Sequence, residues 1–190
     1  KYDYPPETIL SHTFYRRMPE EFFRFYRDKM LCLDAQPNAA HRKLAQWEEE
    51  GKLKAIVTQN IDGLHQKAGS RNVLELHGSV LRNYCERCHK FYDAEYILNS
   101  QGVPQCSCGG SVKPDVVLYE EGLDNETITR AVEYISKADV LIIGGGLCGI
   151  LCAYFLDKAG VDYVLVEGNR IGGGITKNTT GKITVQHGLI

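Results

Sequence analysis

Three observations predict an α/β fold: a Rossmann-like, mostly parallel sheet with helices on both faces and a small zinc-ribbon insertion. Short apolar runs that turn polar at one end alternate with helical periodicities. The run DVLIIGGGLCG places Gly144, Gly146 and Gly149 as G-x-G-x-x-G between a strand and a helix. Two close cysteine pairs, Cys85/Cys88 and Cys106/Cys108, interrupt the alternation.

Taken in order, residues 1–19 carry Pro5, Pro6 and Pro19 and read as loop with short helical turns. From Glu20 to Leu31, Phe22, Phe23, Tyr26 and Met30 recur at helical spacing. A second helix opens at Pro37-Asn38, with Asn38 as its cap, Ala40, Leu44 and Trp47 as its stripe, and Gly51 as its stop. LKAIVTQN (53–60) and VLELHG (73–78) read as strands. Residues 84–113 lack apolar periodicity and look like an insertion held by a metal rather than by a core. KPDVVLYEE (113–121) returns to strand. Asp124–Lys137 reads as a helix with Ile128, Val132 and Ile135 inward. ADVLIIGGG (138–146), a helix through Ala159 stopped by Gly160, and the strand DYVLVE (162–167) close the series.

The 190 residues are 43% hydrophobic, enough for one good core or two small ones. Lys and Arg number 22 against 24 Asp and Glu, a net charge of −2, so neither nucleic acid nor a membrane is expected as a charge-driven partner. No apolar run approaches the ~18 residues of a spanning helix, and no leader-like segment opens the chain, so a reducing cytoplasmic location is expected. The first residue is Lys1, and the last, Ile190, falls in a Gly/Thr-rich stretch, which points to a piece of a larger protein.

The cysteine pattern is C-x2-C, seventeen residues, then C-x-C. Four thiolates on two tight turns suit tetrahedral Zn²⁺, and with no open position that metal is structural. The second knuckle is one residue short of the usual C-x2-C, and Gly109 and Gly110 help a tighter turn. Two rivals stand beside this reading. Cys85 to His89 spells C-x-x-C-H, a haem-attachment pattern that leaves Cys106 and Cys108 unexplained; disulfides are the other. Cys32, Cys148 and Cys152 read as packing residues.

Gln59, Asn60 and Asp62 stand where an apolar strand ends, the edge at which open α/β sheets bind ligands. Amide and carboxylate groups there can hold a ribose or a carboxamide; an Asx-type turn is the plainer alternative. His77 follows the next strand, and its unperturbed pKa suits proton transfer near neutrality. A satisfied core histidine is the plainer alternative.

TQNIDGLHQKAG, then ELHGS, the four-cysteine knuckle and KPDVVLYEE, with PNAAHRKLAQWEEEGKLKAIVTQNID upstream, together resemble the sirtuins, NAD-dependent protein-lysine deacylases. The resemblance covers residues 1 to about 145 and implies the following. His77 is the general base that draws a proton from a ribose hydroxyl of NAD. Gln59, Asn60 and Asp62 hold the nicotinamide and its ribose. Cys85, Cys88, Cys106 and Cys108 hold structural zinc. Val116, Val117, Leu118 and Tyr119 pair with an extended acetyl-lysine peptide. The family's VVxFGE departs here at Glu120, where the family has glycine. Its GAGxS, SGIPDFR and GTS segments have no counterpart in this sequence.

The C-terminal segment follows another pattern. Gly144, Gly145, Gly146 and Gly149, followed by Glu167 at the end of the next strand, fit a dinucleotide site: a tight turn, backbone near a pyrophosphate, and an acid for a ribose hydroxyl. With GNRIGGGITKNTTGKITVQHG, the last 50 or so residues resemble the N-terminal FAD-binding unit of D-amino-acid-oxidase-like flavoproteins. The expected organisation is a truncated sirtuin catalytic domain over 1–143, with its zinc module at about 84–113. A partial FAD/NAD-binding βαβ unit over 139–190 shares strand 139–144 with it. The two halves are expected in one sheet, with DYVLVE parallel to DVLIIG and in the same sheet as LKAIVTQN. The resemblances imply NAD-dependent protein-lysine deacetylation, impaired in a chain without the GAGxS loop; a FAD-dependent oxidoreductase fragment and a non-catalytic zinc-bearing fragment are the alternatives.

Overall fold

Pro6 and Pro19 each stand at the first position of a helix, where a missing N–H removes no intrahelical bond. In a computed structural model describing residues 2–144 and 147–167, they open α1 (Pro6–Ile9) and α3 (Pro19–Lys29), with α2 (His12–Arg17) between them. The Ser11 hydroxyl caps α2 by accepting from the Phe14 amide at 3.2 Å. The predicted stripe on α3 holds: Phe22, Phe23 and Tyr26 are fully buried. With Tyr15 they form a cluster of mostly edge-to-face rings 5.0–6.0 Å apart. Asn38 caps α4 (Ala39–Glu49) in a reciprocal capping box with His41. Gly51, at φ +72°, follows α4 in the left-handed conformation a β-carbon disfavours. None of the residues of α4 is fully buried, so its Ala40/Leu44/Trp47 stripe is only partly covered.

The chain divides into two compact units, Lys1–Tyr134 and Ile135–Ile190. In the first, β1 (Ile56–Thr58) and β2 (Val73–Glu75) pair in parallel, Thr58 opposite Glu75, joined through α5 (Leu64–Lys67). The run read as one strand to Gly78 is broken at Leu76–His77. β3 (Gly78–Cys85) begins there and sits between β4 (Phe91–Tyr92) and β5 (Val112–Val116) in an antiparallel sheet. That sheet and α6 (Ala94–Asn99) change the reading of residues 84–113. Cys85, Ile97, Cys106 and Val112 are buried in the same core cluster as Phe22 and Tyr26, so this region is held by a core as well as by its cysteines. β3 shows no clean alternation in the sequence because it mixes Arg82, Asn83 and Tyr84 into its run, and Asn83 sits at a register shift in the ladder. α7 (Asn125–Ser136) buries Ala131 rather than the expected stripe. Ile128 is half-buried, while Val132 and Ile135 are exposed.

In the second unit, β6 (Leu141–Gly144), α8 (Leu147–Ala159) and β7 (Tyr163–Val166) follow in order, and β7 pairs parallel to β6. Among the described residues β6 pairs only with β7, and β1 only with β2. DYVLVE thus lies parallel to DVLIIG as expected. No described helix is long and apolar enough to cross a membrane.

Candidate functional site

The polar residues after β1 and β2 are laced together. Val80 N–H donates to the Ile61 carbonyl at 2.9 Å, and Leu76 N–H to the Thr58 carbonyl at 2.9 Å. His77 Nδ1 lies 3.2 Å from the Gln59 carbonyl oxygen. A carbonyl only accepts, so this contact assigns the proton to Nδ1 and leaves the lone pair on Nε2, the form a general base needs. His77 is half-buried, whereas Gln59, Asn60 and Asp62 are exposed. Asp62 Oδ1 accepts from Leu64 N–H at 3.0 Å, so the Asx turn weighed from sequence is present. It turns the chain into α5 beside the exposed amides. Gly63, at φ +69°, makes that turn possible.

A groove of about 590 Å³ runs from Asp62 past Met30, Cys32, Ile61 and Leu81. The lining by Met30 and Cys32 carried no sequence signal, because it comes from the loop after α3. Cys32 and Cys152 are exposed rather than packed, since one lies in that loop and the other on an open face of α8; the Cys148 side chain lies outside the described residues.

His77 is held from the other side as well. Its carbonyl accepts Val117 N–H at 3.0 Å, and Gly78 stands opposite Val116. Gly78 is at φ +74°, and a β-carbon there would run into the Asp115 carbonyl oxygen, so only glycine lets β3 approach β5 at this point. Arg82 bridges Glu75 at 2.7 Å and Asp115 at 2.8 Å, tying β2, β3 and β5 together behind the turn. Val116, Val117, Leu118 and Tyr119 therefore have partners within the chain. Tyr119 N–H donates to the Leu10 carbonyl, and its own carbonyl accepts His12 N–H. Leu118 N–H donates to Glu121 at 2.8 Å.

The four cysteines converge. The Sγ atoms of Cys85, Cys88, Cys106 and Cys108 all lie within 4.8 Å of one another. Two of the separations, Cys85–Cys108 and Cys88–Cys106, are 3.5 Å. Four sulfurs at ~2.3 Å from one zinc stand about 3.8 Å apart, so the donor set and its spacing fit tetrahedral zinc. The short second knuckle closes as a hairpin, with Cys106 N–H on the Gly110 carbonyl at 2.8 Å and Gly109 at φ +81°. A β-carbon on Gly110 would sit 2.8 Å from the Cys85 sulfur. The Cys108 amide beside the Cys106 sulfur, with Tyr92, holds that thiol down to about 6. A backbone bond from Lys90 lowers Cys88, but the three neighbouring sulfurs outweigh it and push Cys88 up to about 12. Four thiolates this close repel unless a cation lies among them.

In the second unit, a β-carbon on Gly149 would collide with the Gly144 carbonyl, the close helix–strand packing expected of the third glycine in a dinucleotide turn. Glu167 is exposed just beyond β7. Gly145 and Gly146 lie outside the described residues.

Residues 3–149 match the family model described as the Sir2 family. The chain belongs to the Sir2 family. A second model, described as FAD dependent oxidoreductase, matches residues 139–189. The chain is 65% identical over 162 residues to an NAD-dependent protein deacetylase of Clostridium perfringens, covering 82% of this chain and 66% of that protein. Against its namesake in Clostridium acetobutylicum the identity is 63% over 146 residues, covering 76% of this chain and 60% of the relative. The chain thus spans about 60–66% of the length of these Sir2-family relatives. A solved structure of Sir2 with a p53 peptide and NAD⁺ superposes with a TM-score of 0.75 at 34% identity, covering 90% of this chain and 74% of that one. One of Sir2 bound to an acetylated peptide gives 0.74 at 34%, covering 86% and 72%.

Proposed function

We propose that the chain carries the nicotinamide side of an NAD-dependent protein-lysine deacetylase. The observation that carries this reading is the His77 ring against the Gln59 carbonyl, where two adjacent parallel strands end. In the proposed reaction His77 Nε2 takes a proton from a ribose hydroxyl, while Gln59, Asn60 and Asp62 hold the nicotinamide and its ribose. The acetyl-lysine oxygen attacks the ribose carbon that bears nicotinamide, nicotinamide leaves, and with water the acetyl group ends on ADP-ribose and lysine is freed. The four cysteines hold a structural zinc that keeps the module over residues 84–113 folded.

Support comes from the names of the relatives, which are NAD-dependent protein deacetylases, and from the ligands of the solved neighbours, an acetylated peptide and NAD⁺. Residues 1–143 supply the catalytic-domain portion, and residues 139–190 a βαβ unit that shares strand 139–144. The substrate is an acetylated-lysine protein, and four reduced zinc thiolates suit the cytoplasm. Nicotinamide release from NAD in the presence of an acetyl-lysine peptide, with His77→Ala as control, tests this reading. Release that ignores the peptide or survives the substitution overturns it.

A second reading concerns the βαβ unit alone. Gly149 packed on the Gly144 carbonyl, with Glu167 beyond β7, supports a dinucleotide-binding unit of the FAD type. A purified chain with flavin absorbance near 450 nm supports it; a colourless chain that takes up no added FAD counts against it.

A further inference from the structure

Glu120 occupies a backbone conformation that L residues avoid. Its φ is +77°, and His89 is the other non-glycine residue at positive φ among the described residues. Such a conformation persists only where neighbours over-determine it, and here they are on the page. The Glu120 carboxylate accepts the Thr13 amide of α2 at 2.9 Å. Thr13 hydrogen bonds, first among the causes, with His12 and Arg17 charges behind them, hold that carboxyl below the usual range. On one side, Tyr119 is clamped through Leu10 and His12. On the other, the Glu121 carboxylate takes His12 Nδ1 at 2.8 Å, Lys113 Nζ at 3.2 Å and the Leu118 amide at 2.8 Å. Two consecutive glutamates thus fasten the segment after β5 to the α1–α2 junction.

The fastening decides which backbone groups face outward. The edge at Val117–Tyr119 is taken by His77, Leu10 and His12. Glu120 and Gly122 are exposed, and their main-chain groups make no main-chain hydrogen bond among the described residues. An extended peptide pairing with this segment has its donors and acceptors there, one or two residues beyond the predicted Val116–Tyr119 edge.

The geometry points to Glu120 as a positioning residue for peptide binding: its carboxylate, latched to the Thr13 amide, holds the loop in the left-handed turn that presents the Glu120–Gly122 backbone to an acyl-lysine peptide. This rests on the deacetylase reading above. Glutamine keeps an oxygen that can accept from Thr13, whereas glycine accepts the backbone conformation without the latch.

The test compares the parent chain with Glu120→Gly and Glu120→Gln. Three quantities are measured: anisotropy of a fluorescent acetyl-lysine peptide with NAD present, Thr13 amide exchange by NMR, and the thermal midpoint. Glu120→Gly is expected to weaken peptide affinity about fivefold, as loss of one cap bond would. It should speed Thr13 exchange while leaving the midpoint unchanged or raised. Glu120→Gln is expected to stay within about twofold of the parent. Unchanged affinity and exchange in Glu120→Gly overturn the inference alone. Affinity lost in step with the thermal midpoint assigns Glu120 a merely structural role and also overturns it. A parent chain that binds no peptide overturns the deacetylase reading and this inference with it, even where Thr13 exchange responds.

Discussion

His77 Nδ1 stands 3.2 Å from the Gln59 carbonyl oxygen, joining the second residue beyond β2 to the first beyond β1. A backbone carbonyl only accepts, so in the neutral ring it fixes the proton on Nδ1 and leaves the lone pair on Nε2. His77→Ala is expected to lower nicotinamide release about 10²–10⁴-fold, the span of a general base. The thermal midpoint should stay close to the parent's, because the Val117 bond uses the His77 backbone. Parallel assay and melting of the two proteins check this.

Metal removal should act on the module more than on the helices before it. Ile97 and Val112 are fully buried beside the cysteine cluster, so chelation is expected to expose them and open cleavage sites between Tyr84 and Lys113. Cys106→Ser should lower bound zinc below one per chain. Zinc by mass spectrometry and limited proteolysis, with and without chelator, read both effects; a cleavage pattern indifferent to chelator contradicts the zinc assignment.

Gly78→Ala combines positive φ with a collision against the Asp115 carbonyl. The backbone cost alone is about 1–2 kcal/mol, and the clash adds to it. A fall in thermal midpoint of at least about 4 °C is expected for a chain of this size. Gly122→Ala, with nothing within 4 Å of the added carbon, is the neutral comparison.

Burial alone would raise the Glu121 carboxyl, but the Leu118 amide, His12 and Lys113 outweigh it and hold it below the ordinary value. A lowered folded-state pKa stabilises the fold above the unfolded value of about 4.3. That stability is lost as the pH falls through the folded value. Glu121→Gln should therefore melt below the parent at pH 7, with the gap closing as the pH falls below the unfolded value. A gap that is constant with pH contradicts the assignment.

Much of this was legible in the residues. The α3 stripe, the Asn38 cap and the β6–α8–β7 order followed from periodicity and capping chemistry, which act over a few residues. The convergence of four cysteines followed from their spacing. What stayed hidden depends on contacts distant in sequence. β3 carries no clean alternation, and its partners β4 and β5 lie on either side of a cysteine hairpin. The lining of the groove by Met30 and Cys32 needs the loop after α3 to meet Ile61 and Leu81. The departure at Glu120 was visible as a residue change. Its latch to Thr13, across more than a hundred residues of chain, was not.

The fate of the acetyl group tests the account most directly. With an acetyl-lysine peptide and NAD, mass spectrometry should find acetyl-ADP-ribose and free nicotinamide in equal amounts, with both lost in His77→Ala. Free acetate formed without nicotinamide, or no product from the parent chain, would contradict it.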